Sequence, residues 1–197
     1  MLTIRKKMAE QAASGSKVSP GPGLVLGRKQ SFRSQLLTSE VRELGDSIPP
    51  TCTVQYPDPD NLRVFKLFIK PDEGYWKSGC FQFEISVPEE YNIKPPHVHC
   101  RTRLWHPNIN ETGEVCLSIL RDTSIDGTGW SPARRLIDVV LGLNSLFTDL
   151  LNFDDPLNLQ AAEHFQKDKV SFARKVQQYV SMYATDPDKP RTNASRQ

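Results

Sequence analysis

Apolar residues first recur with a helical period between Ser31 and Asp46, where Phe32, Leu36, Leu37, Val41 and Leu44 share one face. Ser31 is placed to cap the start of that helix and Gly45 to stop it. The period then drops to two. Thr51–Tyr56, Leu62–Lys70 (Phe65, Leu67 and Ile69 on one face) and Cys80–Val87 (Phe81, Phe83, Ile85 and Val87 on one face) read as strands, with a fourth around His97–Thr102. The turns Pro71-Asp72-Glu73-Gly74 and Lys77-Ser78-Gly79 separate them as hairpin connections do. From Pro132 the helical period returns through Leu136, Val139, Val140, Leu143, Leu146, Phe147, Leu150 and Leu151, which predicts a buried central helix opened by Pro132. Two more helices, Leu159–Lys167 and Val170–Ala184, precede Asp186-Pro187. Helix, four-stranded antiparallel meander, irregular segment and three helices make an α+β fold, with helices against one face of the sheet.

Length limits this fold to one core. The 197 residues suffice for a single domain of roughly 150 residues with tails. The organisation expected is a flexible basic extension over 1–30, a core over 31–184 and a polar tail over 185–197. A hydrophobic content of 38% with 24% charge is that of a soluble globular protein, and no apolar run approaches the roughly 18 residues of a membrane span. Arg5, Lys6 and Lys7 lead into no apolar stretch of the signal-peptide kind, so a cytoplasmic and nuclear protein with reduced thiols is expected.

Residues 1–30 carry six Lys/Arg against one Glu. That arm lacks the aromatic interleaving of a nucleic-acid binder, so no nucleic acid is expected; a solvated linker or an acidic protein partner fits it. Its two small apolar clusters, Met1/Leu2/Ile4/Met8 and Leu24/Val25/Leu26, are either incidental or short anchors for a partner's groove. The four cysteines, Cys52, Cys80, Cys100 and Cys116, form no C-x-x-C pair, so no metal site is expected.

The irregular stretch from about Leu104 to Pro132 is where chemistry is expected, because long ordered loops in compact domains are usually functional. Cys116 lies in it. Its apolar neighbours Val115 and Leu117 allow a buried thiol, whereas the preceding turn formers Asn110, Thr112 and Gly113 favour an accessible, reactive one. Eight residues upstream, Asn108 is a side-chain amide able to donate to the oxyanion formed when a thiol attacks a carbonyl. The same Asn108 also suits a turn beside Pro107.

Several motifs now combine. Tyr91-Asn92-Ile93-Lys94-Pro95-Pro96, His106-Pro107-Asn108, Gly113-Glu114-Val115-Cys116-Leu117 and Trp130-Ser131-Pro132-Ala133 occur in that order. The combination resembles the catalytic domain of ubiquitin-conjugating enzymes (the UBC fold) from about Ser31 to Ala184. More narrowly, Pro71–Tyr75, the Asp122–Gly129 loop and the run from Asn144 to Leu157 resemble the branch that conjugates the Nedd-eight ubiquitin-like modifier. The opening Met1-Leu2-Thr3 and the basic extension are similar to that branch's type F.

The resemblance implies an acyltransferase in which Cys116 takes the modifier's C-terminal glycine from the thioester of a heterodimeric activating enzyme and passes it to a substrate lysine. ATP is then consumed by the activator, and this chain needs no cofactor. Asn108 becomes the oxyanion donor, and Asp155, within Asn152–Leu157, the group that orients the lysine; the alternative for Asp155 is an N-cap or turn aspartate before the third helix. His106 reads as a structural turn residue. Ile93 and Ser131-Pro132-Ala133 correspond to the loops that engage RING-type ligases, here a RING-box ligase with a cullin. Met1, kept because Leu2 is large and then acetylated, is implied to dock into a co-ligase, and Leu24 and Leu26 to help bind the activating enzyme. A monomer is implied. The alternatives are transfer of ubiquitin itself and a non-catalytic scaffold of the same fold.

Overall fold

A computed structural model describes residues 31–122, 127–148, 153 and 155–186. The extension over 1–30, with Met1, Leu2, Leu24 and Leu26, lies outside the described residues, as do the middle of the Asp122–Gly129 loop and the tail from 187.

Helix α1 spans Phe32–Ser47, and the Ser31 hydroxyl accepts from the Ser34 amide as its N-cap. Gly45 is not the stop that the sequence suggests. The helix continues two residues to an extended Ile48, because Pro49 clashes with a helical conformation in the residue before it.

Strands β1 (Cys52–Gln55), β2 (Val64–Ile69), β3 (Phe81–Ser86) and β4 (His97–Cys100) form one antiparallel meander in chain order. Its register pairs Ile69 with Phe81, Leu67 with Phe83 and Phe65 with Ile85, and all six side chains are buried. One face of the sheet is therefore a continuous apolar floor. Onto the core packs helix α2, Leu136–Ser145, through Leu136, Val139, Val140 and Leu143. Helices α3 (Leu159–Lys167) and α4 (Lys169–Tyr183) follow. The α+β meander predicted from periodicity is thus the fold observed.

The central helix differs from its prediction at both ends. Ser131–Arg135 is an exposed turn, and the helix starts at Leu136, whose amide donates to the buried Glu40 carboxylate while Asp138 accepts from the Arg135 amide. Beyond Ser145 the chain tightens, with the amides of Leu146, Phe147 and Thr148 each donating to the third residue back. Such a turn keeps Leu146 and Phe147 on the buried face, so the apolar period outlasts the helix. Leu150 and Leu151 lie outside the described residues. Among the described residues no helix is long and apolar enough to cross a membrane.

One glycine pins the functional loop to the sheet. The Gly113 carbonyl accepts from the Cys100 amide at the end of β4, and Gly113 has φ of +90°. A Cβ at this point would run into the Cys100 carbonyl oxygen. Gly113→Ala is accordingly expected to lower stability by about 2–4 kcal/mol, combining left-handed strain with the clash, as a shift in the urea midpoint will show.

Candidate active site

The loop that follows β4 is built on a buried imidazole. His106 is fully buried, its ring 4.5 Å from that of Trp76 and 5.8 Å from that of Phe147. Its Nδ1 accepts from the Asn108 amide at 2.9 Å, which leaves Nε2 to donate to the Leu146 carbonyl at 2.8 Å. That tautomer is neutral. Burial pushes the His106 pKa down to about 4, only partly opposed by the Leu146 carbonyl. Both ring nitrogens are thus committed to backbone groups, in keeping with a structural role for this residue.

Two neighbouring backbone carbonyls complete the anchorage. The Pro107 carbonyl accepts from the Asn158 amide at 2.9 Å, and Asn158 caps α3 through its side-chain oxygen on the Ala161 amide at 3.0 Å. The Asn108 carbonyl accepts from the Cys116 amide at 2.8 Å. The amide-bearing residue and the thiol-bearing residue are therefore tied backbone to backbone. Asn108 itself is buried beneath this surface.

Cys116 differs from the other cysteines in its surroundings. Cys52, Cys80 and Cys100 are buried, and burial pushes the thiols of Cys52 and Cys100 up to about 11 and about 12. Cys116 is half-buried on a groove of about 430 Å³, lined also by Val98, His99, Leu120, Arg121 and Leu157. It is the accessible thiol of the four.

Arg121 is a site residue that periodicity and motif reading pass over. Its Nη2 lies 3.5 Å from the Cys116 sulfur and donates to Asp155 Oδ2 at 2.9 Å. Nothing in the local sequence joins Arg121 to a carboxylate thirty-four residues away. The available signal is weaker: a basic residue closing the 3₁₀ turn Ser118–Leu120, which begins two residues after Cys116. Asp155 is strongly exposed and is not the N-cap of α3, a place taken by Asn158.

A second group of predicted residues gathers elsewhere. Ile93 is 59% exposed, a large apolar side chain facing solvent, and Ser131, Pro132 and Ala133 are exposed beside it in the fold. Asn92 joins the two loops, its side chain donating to the Pro132 carbonyl and its carbonyl accepting from the Trp130 indole. Beneath them the Glu40 carboxylate, 4% exposed, accepts from both Tyr91 hydroxyl and Leu136 amide, so α1, the Ile93 loop and the start of α2 share one buried acceptor.

Residues 36–180 match the ubiquitin-conjugating enzyme family. The chain belongs to that family. Among similar proteins, the chicken "NEDD8-conjugating enzyme UBE2F" is 55% identical over 184 residues, covering 93% of this chain and all of the relative. The human protein of the same name is 53% identical with the same coverage. The Caenorhabditis elegans "NEDD8-conjugating enzyme ubc-12" is 44% identical over 165 residues, covering 82% of this chain and 92% of the relative. In this ubiquitin-conjugating enzyme family member, the resemblance read from His106–Asn108, Cys116 and Trp130–Ala133 is thus supported along nearly the whole chain.

The imidazole gives a pH test. The unfolded chain binds a proton at His106 below about pH 6.5 and the folded chain only below about pH 4. Stability therefore is full above pH 6.5 and falls as pH drops towards 4, by about 3 kcal/mol from this group. Urea unfolding of wild type and His106→Gln at pH 7 and pH 4.5 should show a smaller pH-dependent loss in the variant.

Proposed function

We propose that the chain conjugates the Nedd-eight (NEDD8) modifier, carrying it as a Cys116 thioester between an activating enzyme and substrate lysines. The single observation that carries the choice of modifier is the match over 93% of this chain, and the whole of the relatives, to enzymes named for NEDD8 conjugation. In the first step the Cys116 thiolate attacks the thioester carbonyl of the modifier's C-terminal glycine and the activator's thiol leaves. In the second a lysine amine attacks the new thioester, an amide bond forms, the carbon–sulfur bond breaks and the amine's proton is lost.

The other site assignments belong to the same proposal. Asn108 donates to the developing oxyanion; its tie to the Cys116 backbone supports this, since a donor in a fixed relation to the nucleophile needs no reorganisation. Asp155 orients the lysine. Ile93 and Ser131-Pro132-Ala133, joined by Asn92, offer an apolar and a polar-edged loop to a RING-box ligase carrying a cullin. An acetylated Met1 engages a co-ligase, and Leu24 and Leu26 engage the heterodimeric activating enzyme. The enzyme works as a cytoplasmic and nuclear monomer with no cofactor of its own, ATP being used by the activator.

Charging with NEDD8 or ubiquitin, each with its own activator and ATP, decides the reading on a non-reducing gel. We expect a reducible adduct with NEDD8, none with Cys116→Ala, and a reductant-resistant ester with Cys116→Ser. Charging by ubiquitin alone would overturn the modifier assignment. Asn108→Ala should slow discharge of the preformed thioester by about a hundredfold to a thousandfold.

A further inference from the structure

The contact between Arg121, Cys116 and Asp155 has no part in the chemistry above. We propose that Arg121 is a positioning residue for lysine discharge: its guanidinium holds the Asp155 carboxylate beside the Cys116 sulfur and offsets that carboxylate's pull on the lysine proton. The inference rests on Cys116 as nucleophile and Asp155 as the lysine-orienting group.

Geometry supplies the first half. One nitrogen, Nη2, touches both groups, so the sulfur and Oδ2 can be no farther apart than the 3.5 Å and 2.9 Å contacts placed end to end. An amine attacking a carbonyl carbon bonded to that sulfur and donating to that carboxylate must fit the same span. The Arg121 backbone is itself fixed, its amide donating to the Ser118 carbonyl at 3.0 Å and its carbonyl accepting from the Trp130 amide at 2.8 Å. Asp155 has a 74% exposed side chain at a bend of the chain, so the guanidinium limits where its carboxylate stands.

Charge supplies the second half. A carboxylate alone favours the ammonium form of a nearby lysine, which cannot attack. A guanidinium touching that carboxylate weakens the bias without removing the hydrogen-bond acceptor. Other titratable groups on the groove are His99 of β4 and Glu114 of the preceding loop, with exposed Asp122 next in the chain after Arg121. Among the described residues lining the groove, Arg121 is the only Lys or Arg. As the amine adds, the nitrogen–carbon bond forms, the carbon–sulfur bond breaks, the sulfur leaves as thiolate and the amine's proton passes to Asp155 or water.

The test uses the full-length enzyme charged with NEDD8 and single-turnover discharge to free lysine from about pH 6 to pH 10, with hydroxylamine, neutral at pH 7, as the second nucleophile. Arg121→Gln should move the lysine profile to higher pH, making discharge at pH 7 about three- to tenfold slower, because almost all lysine is protonated there. Hydroxylamine discharge should change less, and Arg121→Lys should recover most of the lysine profile. An unmoved lysine profile overturns the inference, and so does an equal loss with both nucleophiles. The underlying reading fails separately, if Cys116→Ala still charges or if Asp155→Asn discharges to lysine at the wild-type rate throughout.

Discussion

A single buried imidazole holds the functional loop in place. His106 is wedged between Trp76 and Phe147 and spends one nitrogen on the Leu146 carbonyl at the end of α2 and the other on the Asn108 amide. The Leu146 carbonyl lies where a helix end leaves acceptors unpaired, so the same bond satisfies the helix and fixes the loop. A charged imidazole would lose the acceptor at Nδ1 and place a cation in the core. The neutral state is thus a condition of the geometry. From Asn108 the constraint passes through one backbone hydrogen bond to Cys116, and from Pro107 through another to the start of α3. The thiol is accessible while everything below it is fixed.

A second buried polar group does similar work away from the thiol. Glu40 sits on the inward face of α1 and accepts from Tyr91 and from the first amide of α2. Two otherwise exposed loops, around Ile93 and around Ser131–Ala133, are thereby set against one helix, with Asn92 and Trp130 crossing between them. Removing the carboxylate would leave a phenol and a helix-start amide buried without a partner, at a cost of about 1–3 kcal/mol for each. The surface carrying Ile93 and Ser131–Ala133 is preorganised by the same kind of device as the loop bearing Cys116: a buried polar group whose hydrogen bonds are complete.

How much of this was legible in the sequence depends on the range over which each feature is encoded. The strands were readable because Phe65, Leu67, Ile69 and Phe81, Phe83, Ile85 repeat every second residue and all face the core. The limits of α3, Leu159–Lys167, agree with the periodic reading. Pro132 misled, since a proline serves an exposed turn as well as a helix start, and Gly45 misled because the following Pro49 sets the true end. The burial of Glu40 could not be read, as a glutamate on an amphipathic helix normally faces water. Cys116 and Asn108 were marked by motif and spacing, but the Arg121–Asp155 contact joins residues from two distant segments that only the folded loop brings together.

The two halves of the site are therefore held by forces of different strength, and the difference suits acyl transfer. Asn108 and Cys116 are fixed by backbone hydrogen bonds over a packed aromatic floor, where displacement would expose several buried groups. Arg121 and Asp155 meet at the surface, with side chains 42% and 74% exposed, where an ion pair contributes at most about 1 kcal/mol. In the proposed mechanism the nucleophile keeps one position through two acyl transfers, whereas the groups proposed to receive the acceptor yield to a lysine arriving on another protein. Under that proposal a strong, buried pair would resist the exchange of partners in discharge, whereas a weak exposed one would direct the carboxylate and still let it go.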